Sequence, residues 1–122
     1  MVYNRRKYNN VPDNRTAPGG KHIRFDSKKE AARYDELMLL LKAKRIRNLK
    51  LQPEYTLQEA FTTPEGERVK AIRYKADFSY EKFVSGEIVT IVEDVKSEGT
   101  KTQQYLLKRK LMQDKGIKIT EV

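Results

Sequence analysis

The run from Gly86 to Lys96, GEIVTIVEDVK, constrains this chain more than any other stretch. Ile88, Val89, Ile91 and Val92 are β-branched and interrupted only by Thr90, the composition of a strand. A strand apolar on both faces belongs at the centre of a sheet, with helices over one or both sides. Yet this one ends in Glu93, Asp94, Val95 and Lys96, two acids and a lysine around one valine. A buried strand that finishes in opposite charges needs something that requires them there.

The flanking elements follow from periodicity. FDSKKEAARYDELMLLLKAKRIRNL reads as the clearest helix, with Ser27 and Glu30 spaced as a capping box. Ala31, Tyr34, Leu37, Met38 and Leu41 recur at helical spacing and predict its core face. Lys42, Lys44, Arg45 and Arg47 gather at its C-terminal end, where the helix dipole favours cations. LKLQPEYTLQEAF alternates as a strand in which Pro53 points to an edge or a bulge. TTPEGE is turn chemistry, RVKAIRYKADFSY alternates again, TQQYLLKRKLMQDKG predicts a helix stopped by Gly116, and IKITEV predicts a short closing strand. The predicted order after an N-terminal arm is α, β, β, β, α, β, an α/β (α+β) fold with a mixed sheet flanked by helices.

Composition narrows the function classes. The chain of 122 residues has room for one small domain, and it contains no cysteine, so disulfides and thiolate metal sites are excluded. No apolar run is long enough to cross a membrane and no signal peptide opens the chain, so a cytoplasmic protein is expected, with no membrane partner. Twenty-six Lys and Arg against 17 Asp and Glu leave a net charge of +9, which favours a polyanionic partner, nucleic acid first. Residues 1–22 are read as a flexible basic arm, and 23–122 as the folded domain. In the arm Arg5, Arg6, Lys7, Arg15 and Lys21 oppose a single acid, Asp13, and Tyr3 and Tyr8 interleave aromatics with the cations as nucleic-acid binders do. A solvated tail is the competing reading. Lys108 and Arg109 on the second predicted helix are candidates for further phosphate contacts, against the alternative of a solvated helix face.

Ser85-Gly86 is a plausible turn centre between the two best strands. A hairpin centred there sets Asp77 opposite Asp94, with Lys75 and Lys96 on the same face. Adjacent carboxylates repel unless a cation or a proton compensates. Mg²⁺ or Mn²⁺ supplies that cation, because such ions take one or two protein carboxylates and fill the remaining positions with water and phosphate oxygens. A lysine on the same face can orient a water and shield charge growing on phosphorus. Acid, acid and lysine on adjacent strands therefore form a minimal kit for metal-dependent phosphodiester hydrolysis. A register shift of one residue would replace Asp94 by Glu93. In the expected register Glu93 lies on the other face, as an ion-pair residue.

Asp77 in YKADFSY followed by Asp94-Val95-Lys96 in IVEDVKSEG resembles the paired-strand motif of the PD-(D/E)XK nuclease superfamily, whose restriction-endonuclease-like core is an αβββαβ unit. The flow from FDSKKEAARYDELMLL through LQPEYTL is similar to small phage-encoded members suspected of Holliday-junction-resolving or recombination roles. The resemblance implies Asp77 and Asp94 as metal ligands, Lys96 as the catalytic lysine, the Val95 carbonyl as a third ligand and Glu30 as a contributor from the first helix. It further implies Gln52, Gln104 and Lys75 just behind them, and loosely matches Lys108. Two departures stand out: Ala76 replaces the usual proline before the first aspartate, and Asp94 replaces the commoner glutamate.

Each assignment has a plainer counterpart. Glu30 is explained equally by the capping box, and Asp77 by a surface ion pair with Lys75 or Lys96. The expectation is a Mg²⁺- or Mn²⁺-dependent DNA endonuclease, as a homodimer if two strands are cut. The alternative is a non-catalytic nucleic-acid-binding recombination or packaging accessory.

Overall fold

A computed structural model of the chain describes residues 12–96 and 101–122. The chain folds as mixed α+β, and the folded part starts earlier than residue 23. Strand β1 (Asp13–Thr16) pairs antiparallel with β2 (His22–Phe25). The DNRT sequence of β1 carries no apolar alternation, so nothing local announced it. Two tertiary contacts hold it: Phe25 is 2% exposed in the core, and Arg15 forks onto Asp35 of the first helix at 2.9 Å.

Helix α1 (Lys28–Lys42) begins at Ser27, whose hydroxyl accepts from the Glu30 N–H. Its face is buried as the periodicity predicts, Ala31, Tyr34 and Leu37 fully and Met38 and Leu41 in part. It stops well before residue 49. Lys44 adopts φ 59°, and the Arg45 and Lys44 N–H groups close back onto the Leu40 and Leu41 carbonyls. This is a Schellman stop with lysine where glycine is usual, so the sequence carried no signal for it.

The expected strand around Pro53 is two strands, β3 (Ile46–Leu51) and β4 (Glu54–Gln58). After the small β5–β6 hairpin (Phe61–Thr62, Arg68–Val69), the expected strand through Asp77 is likewise two, β7 (Ile72–Lys75) and β8 (Phe78–Val84). β3 pairs with β8 and β4 with β7. Both strands break at the same level, where Gln52, at φ 51°, precedes Pro53. The Gln52 N–H donates to the Asp77 carbonyl at 2.9 Å and the Ala76 N–H to the Pro53 carbonyl at 3.0 Å. The bend therefore keeps its backbone bonds and delivers Asp77 from a corner instead of from mid-strand.

Strand β9 (Glu87–Asp94) pairs antiparallel with β8, Val84 opposite Glu87 through Phe78 opposite Glu93, the expected register. Ser85 and Gly86 turn the chain at φ 51° and 81°, the double left-handed turn that matches strand twist. Space around Gly86 is open, so Gly86→Ala should cost only the backbone penalty, about 1 kcal/mol, read as a lowered urea midpoint. Helix α2 (Gln103–Asp114) follows, capped by Thr102 and stopped at Gly116 as expected, and leads to β10 (Ile119–Glu121), parallel to β9. The sheet order is β10-β9-β8-β3, so β9 is central.

Two cores sandwich the sheet. One gathers Phe25, Leu37, Ile46, Phe78 and Tyr80 with α1; the other gathers Tyr74, Val92, Met112 and Ile119 with α2. They cover only one end of β9, which reverses the expected burial. Ile88 in the apolar half is 46% exposed, whereas Glu93 and Asp94 in the charged half are 1% and 6% exposed. Among the described residues no helix is long and apolar enough to cross a membrane.

Candidate functional site

Where β9 ends, the N-terminal turns of α1 and α2 converge on a cleft of about 420 Å³. Its lining includes Glu30, Lys75, Asp77, Asp94, Val95, Lys96, Gln104 and Lys108, eight of the expected residues, together with Asp26, Ser27, Tyr74 and Tyr105. Helix N-termini present unpaired N–H groups and positive dipole ends, which suit a phosphate.

Asp94 accepts a hydrogen bond from the Tyr74 hydroxyl and pairs with the Lys96 ammonium at 3.1 Å. The ammonium also sits 3.6 Å from the Tyr105 ring centroid, a cation–π contact that fixes a flexible side chain over one spot. The Lys96 backbone is tied on both sides. Its N–H donates to the Val122 carbonyl at 2.8 Å, and its carbonyl accepts from Lys29.

Asp77 accepts from the Val95 N–H at 2.6 Å. Burial, a hydrogen bond with Glu30 and the Glu30 and Asp94 charges drive its carboxyl well above the ordinary 3.8, against the Val95 bond. A carboxyl pushed toward its neutral form by neighbouring carboxyls marks a place short of positive charge. Glu30 completes only half a capping box, because its carboxylate accepts from Asp26 N–H at 3.3 Å instead of the Ser27 N–H. Its side chain faces the cleft at 6% exposure.

Glu93 lies on the opposite face, as expected. Arg33 grips it with two bonds of 2.8 and 2.6 Å, and the Tyr80 hydroxyl adds a third. Tyr74 and Tyr80 are buried core residues, and the hydroxyl of each holds one of the two acids. Tyr105 donates to Glu121, and that bond, with Lys101 and Arg109 nearby, holds the Glu121 carboxyl down at about 2.

Other expected residues lie elsewhere. Gln52 is outside the cleft lining, and it contributes by its backbone bond to Asp77. Arg15 is committed to Asp35 and Asp13, and Arg109 pairs with Glu121 at 2.9 Å. Lys21 is exposed at the β1–β2 turn. Arg5, Arg6 and Lys7 lie outside the described residues.

Sequence reasoning missed Asp26, Ser27 as a cleft residue, Tyr74, Tyr105 and Lys29. Neither Tyr74 nor Tyr105 had a usable local signal, since each acts through a contact with residues distant in the chain.

The donors are all hard oxygens: the Asp77, Asp94 and Glu30 carboxyls and the Val95 carbonyl. Among the described residues, no three carboxylate or imidazole side chains already stand around one point as a metal cage. A dication of the Mg²⁺ type does not require one, since it binds through one or two carboxylates and keeps several waters. The Asp77–Asp94 pair, with its excess of carboxyl groups, fits that donor set.

A family described as "Protein of unknown function (DUF1064)" matches residues 19–121. The chain belongs to the DUF1064 family. The matched segment takes in β2 and every later element, so each cleft residue falls within DUF1064, and β1 lies outside it. No curated protein and no solved structure matches the chain.

Proposed function

We propose that this DUF1064 protein is a divalent-metal-dependent DNA endonuclease whose site is of the PD-(D/E)XK type. The observation that carries the reading is one cleft lined by Glu30, Asp77, Asp94 and Lys96, with the Asp77 carboxyl raised by burial and its acidic neighbours. A mere phosphate binder gains nothing from acids facing a polyanion. The element order α1, β3/β4, β7/β8, β9, α2, β10 supports a restriction-endonuclease-like core.

Asp77 and Asp94 would hold Mg²⁺ or Mn²⁺, with Glu30 behind them and the Val95 carbonyl beside them. The ion supplies acidity to a water and neutralises charge growing on phosphorus. Asp94 and the Tyr105 ring aim the Lys96 ammonium into the cleft, where it orients a water and shields the phosphoryl oxygens. Lys75 from β7 and Lys108 from α2, both in the cleft lining, hold neighbouring phosphates. A homodimer would place two such clefts on two strands.

One observation favours a binding protein without turnover: Asp94 is already satisfied by Lys96 and Tyr74. The two readings separate on incubation with branched and linear DNA plus Mn²⁺. Products on either substrate support the nuclease, and tight binding with no product on any of them supports the accessory protein.

The raised Asp77 carboxyl gives a pH prediction. Its pKa is higher folded than unfolded, so its contribution to stability is complete below 3.8 and is lost as pH rises above it. In EDTA the melting temperature should fall between about pH 5 and about pH 8 more steeply in wild type than in Asp77→Asn, which is neutral throughout. Mn²⁺ at the higher pH should raise the wild-type midpoint and not the variant's. Parallel melting curves for the two proteins would show that Asp77 is not the strained group.

A further inference from the structure

At the far end of the hairpin, Phe83 and Ile88 face each other across the strands and are 67% and 46% exposed, and Val84 beside them is 44% exposed. Single exposed apolar residues are ordinary, and Val84 points to the other face of the hairpin, but an exposed aromatic–aliphatic cross-strand pair at a tight turn is a patch. Phe83 and Ile88 border a recess with Lys44, Arg45 and Lys82. Arg47 in the same recess is taken by Glu81 at 2.9 Å, whereas among the described residues Lys44, Arg45 and Lys82 form no ion pair.

Strand alternation sets Ile88 and Asp94 on the same face of β9, six residues apart, roughly 20 Å of extended chain. Val92, between them, is covered by α2. The patch therefore meets a part of any substrate other than the phosphate in the cleft, at a separation the hairpin keeps constant.

The geometry points to the β8–β9 tip as a wedge for a DNA branch or a duplex–single-strand boundary, with Phe83 stacking on an unpaired base and Lys44, Arg45 and Lys82 holding the adjacent phosphates. Aromatic and aliphatic side chains inserted beside cations are the usual chemistry of unstacked bases. A second copy of the chain fits less well, because a two-fold contact here would set the three unpaired cations against themselves. This inference rests on the proposed function in taking DNA as the substrate, and it gives that site its substrate class.

The test measures binding in EDTA, so that it does not depend on cleavage. Forked and linear duplexes of equal length, with 2-aminopurine at the fork, are titrated with wild type, Phe83→Ala and Phe83→Trp. Wild type is expected to prefer the fork by roughly tenfold and to quench the 2-aminopurine; Phe83→Ala should bring the fork-to-linear ratio close to one, and Phe83→Trp should keep it. Equal wild-type affinity for both DNAs, or a ratio unchanged in Phe83→Ala, overturns the wedge. A ratio unchanged in Phe83→Ala while sedimentation shows a wild-type dimer becoming a monomer also overturns it, and assigns the patch to a second copy. Cleavage is scored separately with Mn²⁺: a protein that prefers forks through Phe83 but cuts nothing leaves the wedge standing and removes the nuclease reading.

Discussion

Asp94→Ala is expected to lower Mn²⁺-dependent DNA cleavage about a thousandfold or more, with DNA binding retained. Asp94 ends the central strand at 6% exposure, held by Tyr74 on one side and by Lys96 at 3.1 Å on the other. The alanine removes a proposed metal donor and frees the lysine in one step. Asp94→Asn separates shape from charge, since it still accepts the Tyr74 hydrogen bond while losing the negative charge a dication requires, and it should be almost as inactive. Lys96→Met should lose rate while still binding Mn²⁺ by isothermal titration, because the lysine is not a donor to the ion. Circular dichroism melts of each variant show whether the fold survives. If Asp94→Ala cuts at the wild-type rate, the chemistry is not in this cleft.

Arg33→Met should destabilise the protein by about 3–5 kcal/mol, measured by urea unfolding. Glu93 is 1% exposed, and Arg33 supplies two of the three described hydrogen bonds to its carboxylate. Without Arg33 the carboxylate keeps only the Tyr80 hydroxyl, whose own pKa burial and Glu93 push up to about 12, and a buried charge remains uncompensated. The double variant Arg33→Met/Glu93→Gln should recover much of the loss, since it removes the charge together with its partner. Full additivity of the two single effects would mean that the pair is not coupled. The pair also bears on function. Glu93 and Asp94 are adjacent on β9, and anchoring Glu93 to α1 turns Asp94 toward the cleft.

The facing of those two acids was legible in the sequence because it depends on one local event, the Ser85-Gly86 turn. A two-residue hairpin fixes every pairing along both strands. The α1 core face was legible from its 3.6-residue period for the same reason. Pro53 announced an edge or a bulge beside Gln52. The break at Asp77 was not legible, because it is stabilised by backbone bonds to Gln52 and Pro53 across the ladder and carries no glycine. The β1–β2 hairpin was hidden because its ordering contact, Arg15 to Asp35, joins residues twenty apart. In the cleft, the lysine and the acids were readable as residue types at strand positions. Tyr74, Tyr105 and Lys29 were not, since their roles exist only as contacts with distant atoms.

By itself, then, the sequence determined the alternation of strands and helices, the hairpin register, and hence Asp77, Asp94 and Lys96 on one face. Tertiary structure alone decided the burial. The strand that looks most apolar exposes the start of its apolar half at Ile88 and buries its charged half at Glu93 and Asp94. The physical reason is that α1 and α2 cover only the end of the sheet where their own apolar faces meet it. There the acids are retained in the interior because Arg33, Tyr80 and Tyr74 arrive from three other places in the chain, and Lys96 folds back from two residues on, to compensate them.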